Sequence, residues 1–373
     1  MKSPFPIPYG LNVHPGTDGS AVRRALRTHV LAVKQLVAPD RPFPLGLYLS
    51  RQATADLLIP RRLASFRQWL QDHDCFVACV NAFPFGQFHG SKVKARVYRP
   101  DWRSPERLEY TRSTAHLLSH LLPEGSESTL TTVPGGWRPD WKGRKDERLA
   151  RRHLGEAAAF CRDLRERTGR RIRIAIEPEP GCAWELFDPR LEDLAPEVCW
   201  CLDTCHAAVN FRPMTRLKWN RIGRVQLSAA IECDNTPQAR NALQRFVEPV
   251  YLHQTRAALH GQVIGEWDDL GPAIRALPRL PAEAVVRTHY HVPLTWTQTG
   301  PLRSTAPQQL TPAFFKQTHG TRCEVETYTH SILPRGYRPR SLAQAIAGEL
   351  QWAAARQRSS SSTKRKTVSP GLA

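Results

Sequence analysis

Apolar residues along this chain recur at every second position in some runs and at helical spacing in others, and the two patterns alternate almost from end to end. Gly10–His14 (GLNVH) reads as a first strand and Ala21–Leu36 as the amphipathic helix that follows. Leu45–Ser50 alternates cleanly before a helix over Arg61–Asp72, and Cys75–Asn81 before one over Ser104–Leu122 with Ser104 suited to capping. Ser128–Val133 precedes a long helix over Asp146–Thr168. RIRIAI, CWCLD and RVQLS are three further strands, helix-like runs follow around Pro237–Phe246 and Leu270–Leu277, and Ala284–His291, Glu324–Tyr328 and a helix over Ser341–Gln357 close the series.

Strand and helix in alternation predict a mainly parallel sheet with helices outside it, an α/β fold. Polar residues then choose between an open sheet and a closed one. In RIRIAIEPEP the isoleucines Ile172, Ile174 and Ile176 form one row, and Arg173, Ala175 and Glu177 the other. Cys199, Cys201 and Asp203 share a face, as do Arg224, Gln226 and Ser228, and Glu324, Glu326 and Tyr328. Strands covered on both faces read as continuous apolar runs, so acids at their carboxyl ends must line a site or be paired. Such ends recur along the chain, which favours a closed (β/α)8 TIM barrel over an open sheet with one switch point. There are nine strand-like runs for eight places. The HYH run, 289–291, is expected to be an inserted, ligand-bearing extension.

Asp203 ends its strand and His206 follows three residues on, so the imidazole can turn back over the same strand end towards a divalent ion or substrate. His289 and His291 are two apart and, if extended, point the same way. Together with Glu177 and Glu326 these residues predict a metal site. Arg173, Arg224 and Glu324, lower on the inward rows, are expected to pair with one another, because unpaired charge there would cost several kcal/mol. Glu179 and Glu185 follow Glu177 in its loop and could supply a mobile base. His14, Asn81, His89 and Trp137 follow the first, third and fourth strands and are expected to form the substrate-binding wall, with His253 as a further candidate.

Composition narrows the class. The chain has 373 residues, 41% of them hydrophobic, enough for one barrel with insertions over residues 1–357. The formal charge of +19 raises nucleic-acid binding, but the excess is spread as arginine. Its one concentrated run, RQRSSSSTKRK, is Ser-rich and aperiodic, so residues 358–373 are expected to be a disordered basic tail, and nucleic acid is not the expected partner. No apolar leader begins MKSPFPIPYG and no run of roughly 18 apolar residues could span a membrane, so the expectation is a soluble, cytoplasmic protein. The nine cysteines sit mostly in apolar runs and are expected to be buried thiols in a reducing compartment.

The order Glu177, Asp203 with His206, Gln226, Glu326, each at a strand end, resembles the xylose-isomerase-like TIM barrels, which include sugar epimerases and endonuclease IV. In the epimerases the resemblance implies a divalent ion, manganese, magnesium or cobalt, held by Glu177, Asp203, the Gln226 position and Glu326, with His206 contacting substrate. In the zinc-binding endonuclease branch His206 and the His289–His291 segment would be ligands. YGLNVHPG, NAFPFGQFHG with VYRPDW, IAIEPEPG, CLDTCHAAV, YLHQT and VETYTH together resemble the EboE family of metabolite-traffic barrels over about Tyr9 to Trp352. Gln226 departs from both branches, which place histidine there; its neutral amide oxygen favours manganese or magnesium over zinc. The function this implies is a metal-dependent isomerase or epimerase, with Glu177 and Glu326 as base and acid, for a sugar-like or cyclitol-like metabolite. Other proteins of a metabolite pathway are the implied partners. The alternatives are a zinc-dependent phosphodiesterase and a non-catalytic metabolite-binding protein.

Overall fold

The computed structural model describes residues 3, 5–90, 92–185, 187, 191, 194–214, 217–318 and 320–362. Eight parallel strands close into a barrel: β1 (Tyr9–Gly10), β2 (Phe43–Tyr48), β3 (Cys75–Asn81), β4 (Glu127–Thr132), β5 (Arg171–Ile176), β6 (Val198–Asp203), β7 (Ile222–Leu227) and β14 (Arg322–Val325), each paired with its sequence neighbour and β1 with β14. This is the expected (β/α)8 architecture. Helices Pro105–Leu121, Arg144–Thr168 and Leu342–Ser362 pack outside it, and Ser104 caps the first through its side chain. The last helix runs past the expected Gln357 boundary to Ser362; residues 363–373 of the basic tail lie outside the described residues.

Between β7 and β14 the chain inserts six short strands: β8 (Ile231–Asp234), β9 (Thr255–Leu259), β10 (Gln262–Trp267), β11 (Val285–Thr288), β12 (Gln298–Thr299) and β13 (Leu302–Ser304). They form a second, antiparallel sheet in the order β10-β9-β11-β8-β13-β12. The ninth strand-like run is thus β11, outside the barrel, and the expectation of an inserted extension holds. That the insertion is itself a sheet is not legible in its runs, because several strands are two to four residues long and lack a period. The first strand is shorter than expected: after Gly10 the chain turns through a 3-10 segment, Leu11–Val13. The first helix is interrupted by a π-helical stretch, Leu26–Val30.

Inward and outward rows fall as the alternation predicts. Ile172, Ile174 and Ile176 join the main apolar core, while Ala175, Cys199 and Cys201 form a separate small cluster inside the barrel. Arg224, fully buried, crosses the interior to donate to the Val80 carbonyl at 2.9 Å and pairs with Glu324. The Cys79 thiol donates to the other Glu324 oxygen at 3.0 Å. Gly46 is required here, because a Cβ at that position would overlap the Glu324 carboxylate. Arg173 is the exception to the expected triad: it faces Glu127 at 3.5 Å, nearer the barrel's amino end. All nine cysteines are buried free thiols. Among the described residues no helix is long and apolar enough to cross a membrane.

Candidate metal centre

At the carboxyl ends of the strands the inward rows finish in acids. Asp203 ends β6 and caps the short helix Thr204–Val209: its Oδ1 accepts from the His206 amide at 2.8 Å and from the Ser228 hydroxyl at 2.9 Å. Asp203 Oδ2 is left buried with no partner. Glu326 follows β14, and its Oε1 accepts from the side-chain amides of Asn12 and Asn81, the latter at 3.1 Å, again leaving Oε2 unpartnered. Glu177 Oε2, after β5, is the third buried carboxylate oxygen without a hydrogen bond. One oxygen from each of these three acids lies within 4.8 Å of the others. Unpaired, such a group would cost several kcal/mol.

Three imidazoles complete the cluster, and their tautomers are set by their second nitrogens. His206 Nδ1 donates to the Pro178 carbonyl at 3.0 Å, and His291 Nδ1 to the Glu326 carbonyl at 3.0 Å. His289 Nδ1 donates to Gln254 Oε1 at 2.6 Å, the Gln254 amide being oriented by its own donation to the Pro180 carbonyl at 3.1 Å and to Glu179 at 3.0 Å. In the neutral rings each Nε2 then keeps its lone pair for a ligand; the acids lie nearest Nδ1 in His206, 4.0 Å from Glu177 and Asp203, and in His289, 3.6 Å from Glu179. His206 Nε2 and His289 Nε2 stand 3.2 Å apart, and His291 Nε2 stands 3.9 Å from Asp203 Oδ2 with no hydrogen bond. His291 holds a left-handed backbone, φ 42°, a strained conformation for a histidine that brings it into this position.

The groups make four overlapping sets, Glu177–Asp203–Glu326, Asp203–His206–His291, Glu179–His206–His289 and Cys205–His289–His291. Their electrostatics follow from crowding. Burial, offset by His206 and reinforced by Asp203, pushes Glu177 up to about 8, and burial together with Glu177 and Asp203 holds Glu326 well above the carboxylate range. Asp203 stays below its usual value, since His206 and His291 outweigh its burial. Burial alone would lower His206, but Asp203, Glu179 and Glu177 raise it; burial and the neighbouring imidazoles drive His289 well down and His291 to about 4. Protons thus stand where a cation would relieve the repulsion, and a hard carboxylate set beside imidazoles suits a divalent ion.

Of the residues expected at the site, Glu177, Glu179, His206, His289, His291, Glu326 and Asn81 line one narrow cavity at the barrel mouth, with Asp203 among its ligand sets. About 50 Å³ of that cavity can hold the centres of water molecules, several times the ~10–15 Å³ that one water needs. Gln226 stands apart from the cavity lining: it is fully buried on the inward row, its Oε1 accepts from the Cys201 thiol at 2.8 Å, and its Nε2 has no partner among the described residues. His14 is buried against Tyr9, at 2.5 Å, and stacks on His29. His89 joins the Asn12 carbonyl at 2.6 Å to the Tyr251 hydroxyl at 2.8 Å. Trp137 stacks on Tyr98 at 5.1 Å, and His253 lies behind His289, between its carbonyl and Glu248, each at 2.7 Å. These four support the wall and do not line it. Glu185 pairs with Arg138 and Arg256, away from the ligand sets.

Asn12, Tyr98, Tyr251, Tyr328 and Gln254 are site residues that the pattern of the sequence did not single out. Asn12 was within reach of the strand-end rule, lying two residues past Gly10, whereas Tyr98 and Tyr251 come from loops with no period.

Comparison with known proteins agrees with the architecture. No family model matches the sequence, and no curated protein matches it. Among solved structures, the chain is similar to a xylose-isomerase-like TIM barrel protein from Mycobacterium smegmatis in complex with magnesium, at 11% identity and a TM-score of 0.51, covering 95% of this chain and 97% of that one. It is also similar to a D-tagatose 3-epimerase-like protein (10% identity, TM-score 0.49, 98% and 100% covered) and to the IOLI protein with a bound zinc atom (12% identity, TM-score 0.42, 97% of each). Likeness at these identities speaks to fold alone, and the fold it agrees with is the closed (β/α)8 barrel.

Proposed function

We propose that the protein is a divalent-metal-dependent enzyme of isomerase or epimerase type acting on a small sugar-like or cyclitol-like metabolite. The observation that carries the reading is the convergence of Glu177 Oε2, Asp203 Oδ2 and Glu326 Oε2, buried and unpartnered, in a cavity of the size of a small ligand's head. Glu177, Asp203, Glu326 and His291 would hold the ion, manganese, magnesium or cobalt being best suited to the carboxylates. A bound ion supplies Lewis-acid stabilisation of the negative charge that develops on a substrate oxygen.

The chain's own groups do the rest. Glu177 and Glu326 face one another from β5 and β14, on different sides of the ring of strands, so one can take a proton from a carbon beside a carbonyl while the other returns it. Asn12 and Asn81 fix Glu326 by its Oε1 and so aim Oε2 into the cavity. Asn12 Oδ1, buried and unpartnered, can accept from a substrate hydroxyl. Phe88, Tyr251 and Tyr328 pack together at the mouth, Tyr328 edge to face with the other two, and limit the entry of water. If the resemblance to EboE holds, the reaction would belong to a metabolite-traffic pathway.

The three imidazoles favour a second reading, a zinc-dependent phosphodiesterase, since His206 and His289 present paired nitrogens. Two nitrogens bound to one tetrahedral zinc would stand ~3.4 Å apart, close to the 3.2 Å between them. Against that reading, Lys94 is the one Lys or Arg among the described residues that line the cavity, and its Nζ is engaged by Asp269 at 2.6 Å.

The test is solvent-deuterium exchange at carbon, followed by NMR, with manganese-loaded protein and a panel of ketoses and inososes. Exchange that is abolished in Glu177→Gln supports the reading; exchange that survives the substitution, or phosphodiester cleavage without exchange, overturns it.

A further inference from the structure

The acids and imidazoles would bind the oxygen-bearing head of a substrate; the remaining wall bears on what that head is attached to. It is built from Phe83, Pro84, Phe88, Val93, Val97 and Leu252. The tyrosines beside them have their hydroxyls engaged elsewhere: Tyr98 donates to Glu179 at 2.7 Å, and Tyr251 meets His89 at 2.8 Å. Lys94 Nζ, besides its Asp269 partner, donates to the Glu248 carbonyl at 3.0 Å. Four carboxylates, Glu177, Glu179, Asp203 and Glu326, stand around the cavity against the two charges of a single divalent ion. A phosphate on the substrate would meet four carboxylates and a largely apolar wall, whose polar groups are Lys94, already donating to Asp269 and the Glu248 carbonyl, and the Tyr328 hydroxyl, 3.5 Å from His289 Nε2, so its desolvation would be poorly compensated.

We propose that the substrate is uncharged and two-ended, with vicinal oxygens at one end and a slender apolar arm at the other: an alkylated or otherwise lipophilic polyol or hydroxyketone, and not a sugar phosphate. The arm lies along Val97 and Leu252. This rests on the metal-centre reading above, because the head is oriented by the ion.

Calorimetric titration of the manganese-loaded full chain with three hydroxamates separates the two. Acetohydroxamate carries only the chelating head, butanohydroxamate adds two methylenes, and phosphoglycolohydroxamate adds a phosphate. Butanohydroxamate is expected to bind about fifteenfold more tightly than acetohydroxamate, roughly fourfold for each of the two methylenes buried, and the phosphorylated probe more weakly than either. Val97→Ser is expected to reduce the butano affinity more than the aceto affinity. Acetohydroxamate binding with no gain from the longer arm, tightest binding of the phosphorylated probe, or an unchanged gain in Val97→Ser overturns the substrate class while leaving the metal reading intact. No binding of any hydroxamate overturns the metal reading and this inference with it.

Discussion

His206 Nε2 and His289 Nε2 face one another at 3.2 Å, although each ring already donates through Nδ1, to the Pro178 carbonyl and to Gln254 Oε1. Two lone pairs at that distance are compatible only with a proton or a cation between them. Asp203, Glu179 and Glu177 raise His206 against its burial, while burial and His206 lower His289, so of the two rings His206 is the one the acids favour in the charged form.

Gln254 sets the orientation of His289 and the tautomer that presents its lone pair. In the zinc reading, where His206 and His289 share the ion, replacing Gln254 with Leu removes that acceptor, and zinc affinity is expected to fall by about 10–100-fold. Competition against a chelating dye measures it, and an affinity within twofold of the parent contradicts the assigned role.

The Arg224–Glu324 pair inside the barrel is structural. Glu324→Gln leaves the Arg224 charge buried with the Val80 carbonyl and is expected to cost ~3–5 kcal/mol in urea unfolding, with metal content unchanged in the folded protein. Replacing both, Arg224→Met with Glu324→Leu, should recover much of that loss. Loss of metal with stability retained would instead place Glu324 in the metal centre.

Acid weakens the fold through the support histidines. Burial, with His29, His89 and His330 nearby, lowers His14 to about 3, and burial lowers His89 to about 4. An unfolded chain takes up these protons below about 6.5 while the folded one does not, so stability is fully present above that value and lost as pH falls towards 3. For His14 alone the loss between pH 6.5 and 5 is about 2 kcal/mol. Unfolding of chelator-treated protein across this range should show a shallower fall in His14→Gln, and an identical slope would contradict the assignment.

The barrel was legible because inward and outward rows alternate at period two, and the acids that end β5, β6 and β14 break an otherwise apolar pattern. Asp203 serves two roles at once: one oxygen caps a helix, and the other stays free for the site. Gln226 lies on the inward row in register with Asp203, but strand position does not decide which way its amide turns, and its oxygen meets the Cys201 thiol. His14, His89, Trp137 and His253 sit near strand ends yet point at neighbours, because side-chain direction in loops has no period to read. Gln254 and Tyr251 reach the site through the inserted sheet, whose long-range pairing leaves no local signal.

Elemental analysis of the full chain purified without added metal, alongside Asp203→Ala, tests the metal centre most directly. The account predicts about one equivalent of manganese, iron or cobalt in the parent and loss of that ion in a folded Asp203→Ala. Two or three zinc ions would favour the hydrolase. A parent that binds no divalent ion, even after each is added back, would contradict the metal centre and leave a metabolite-binding barrel in its place.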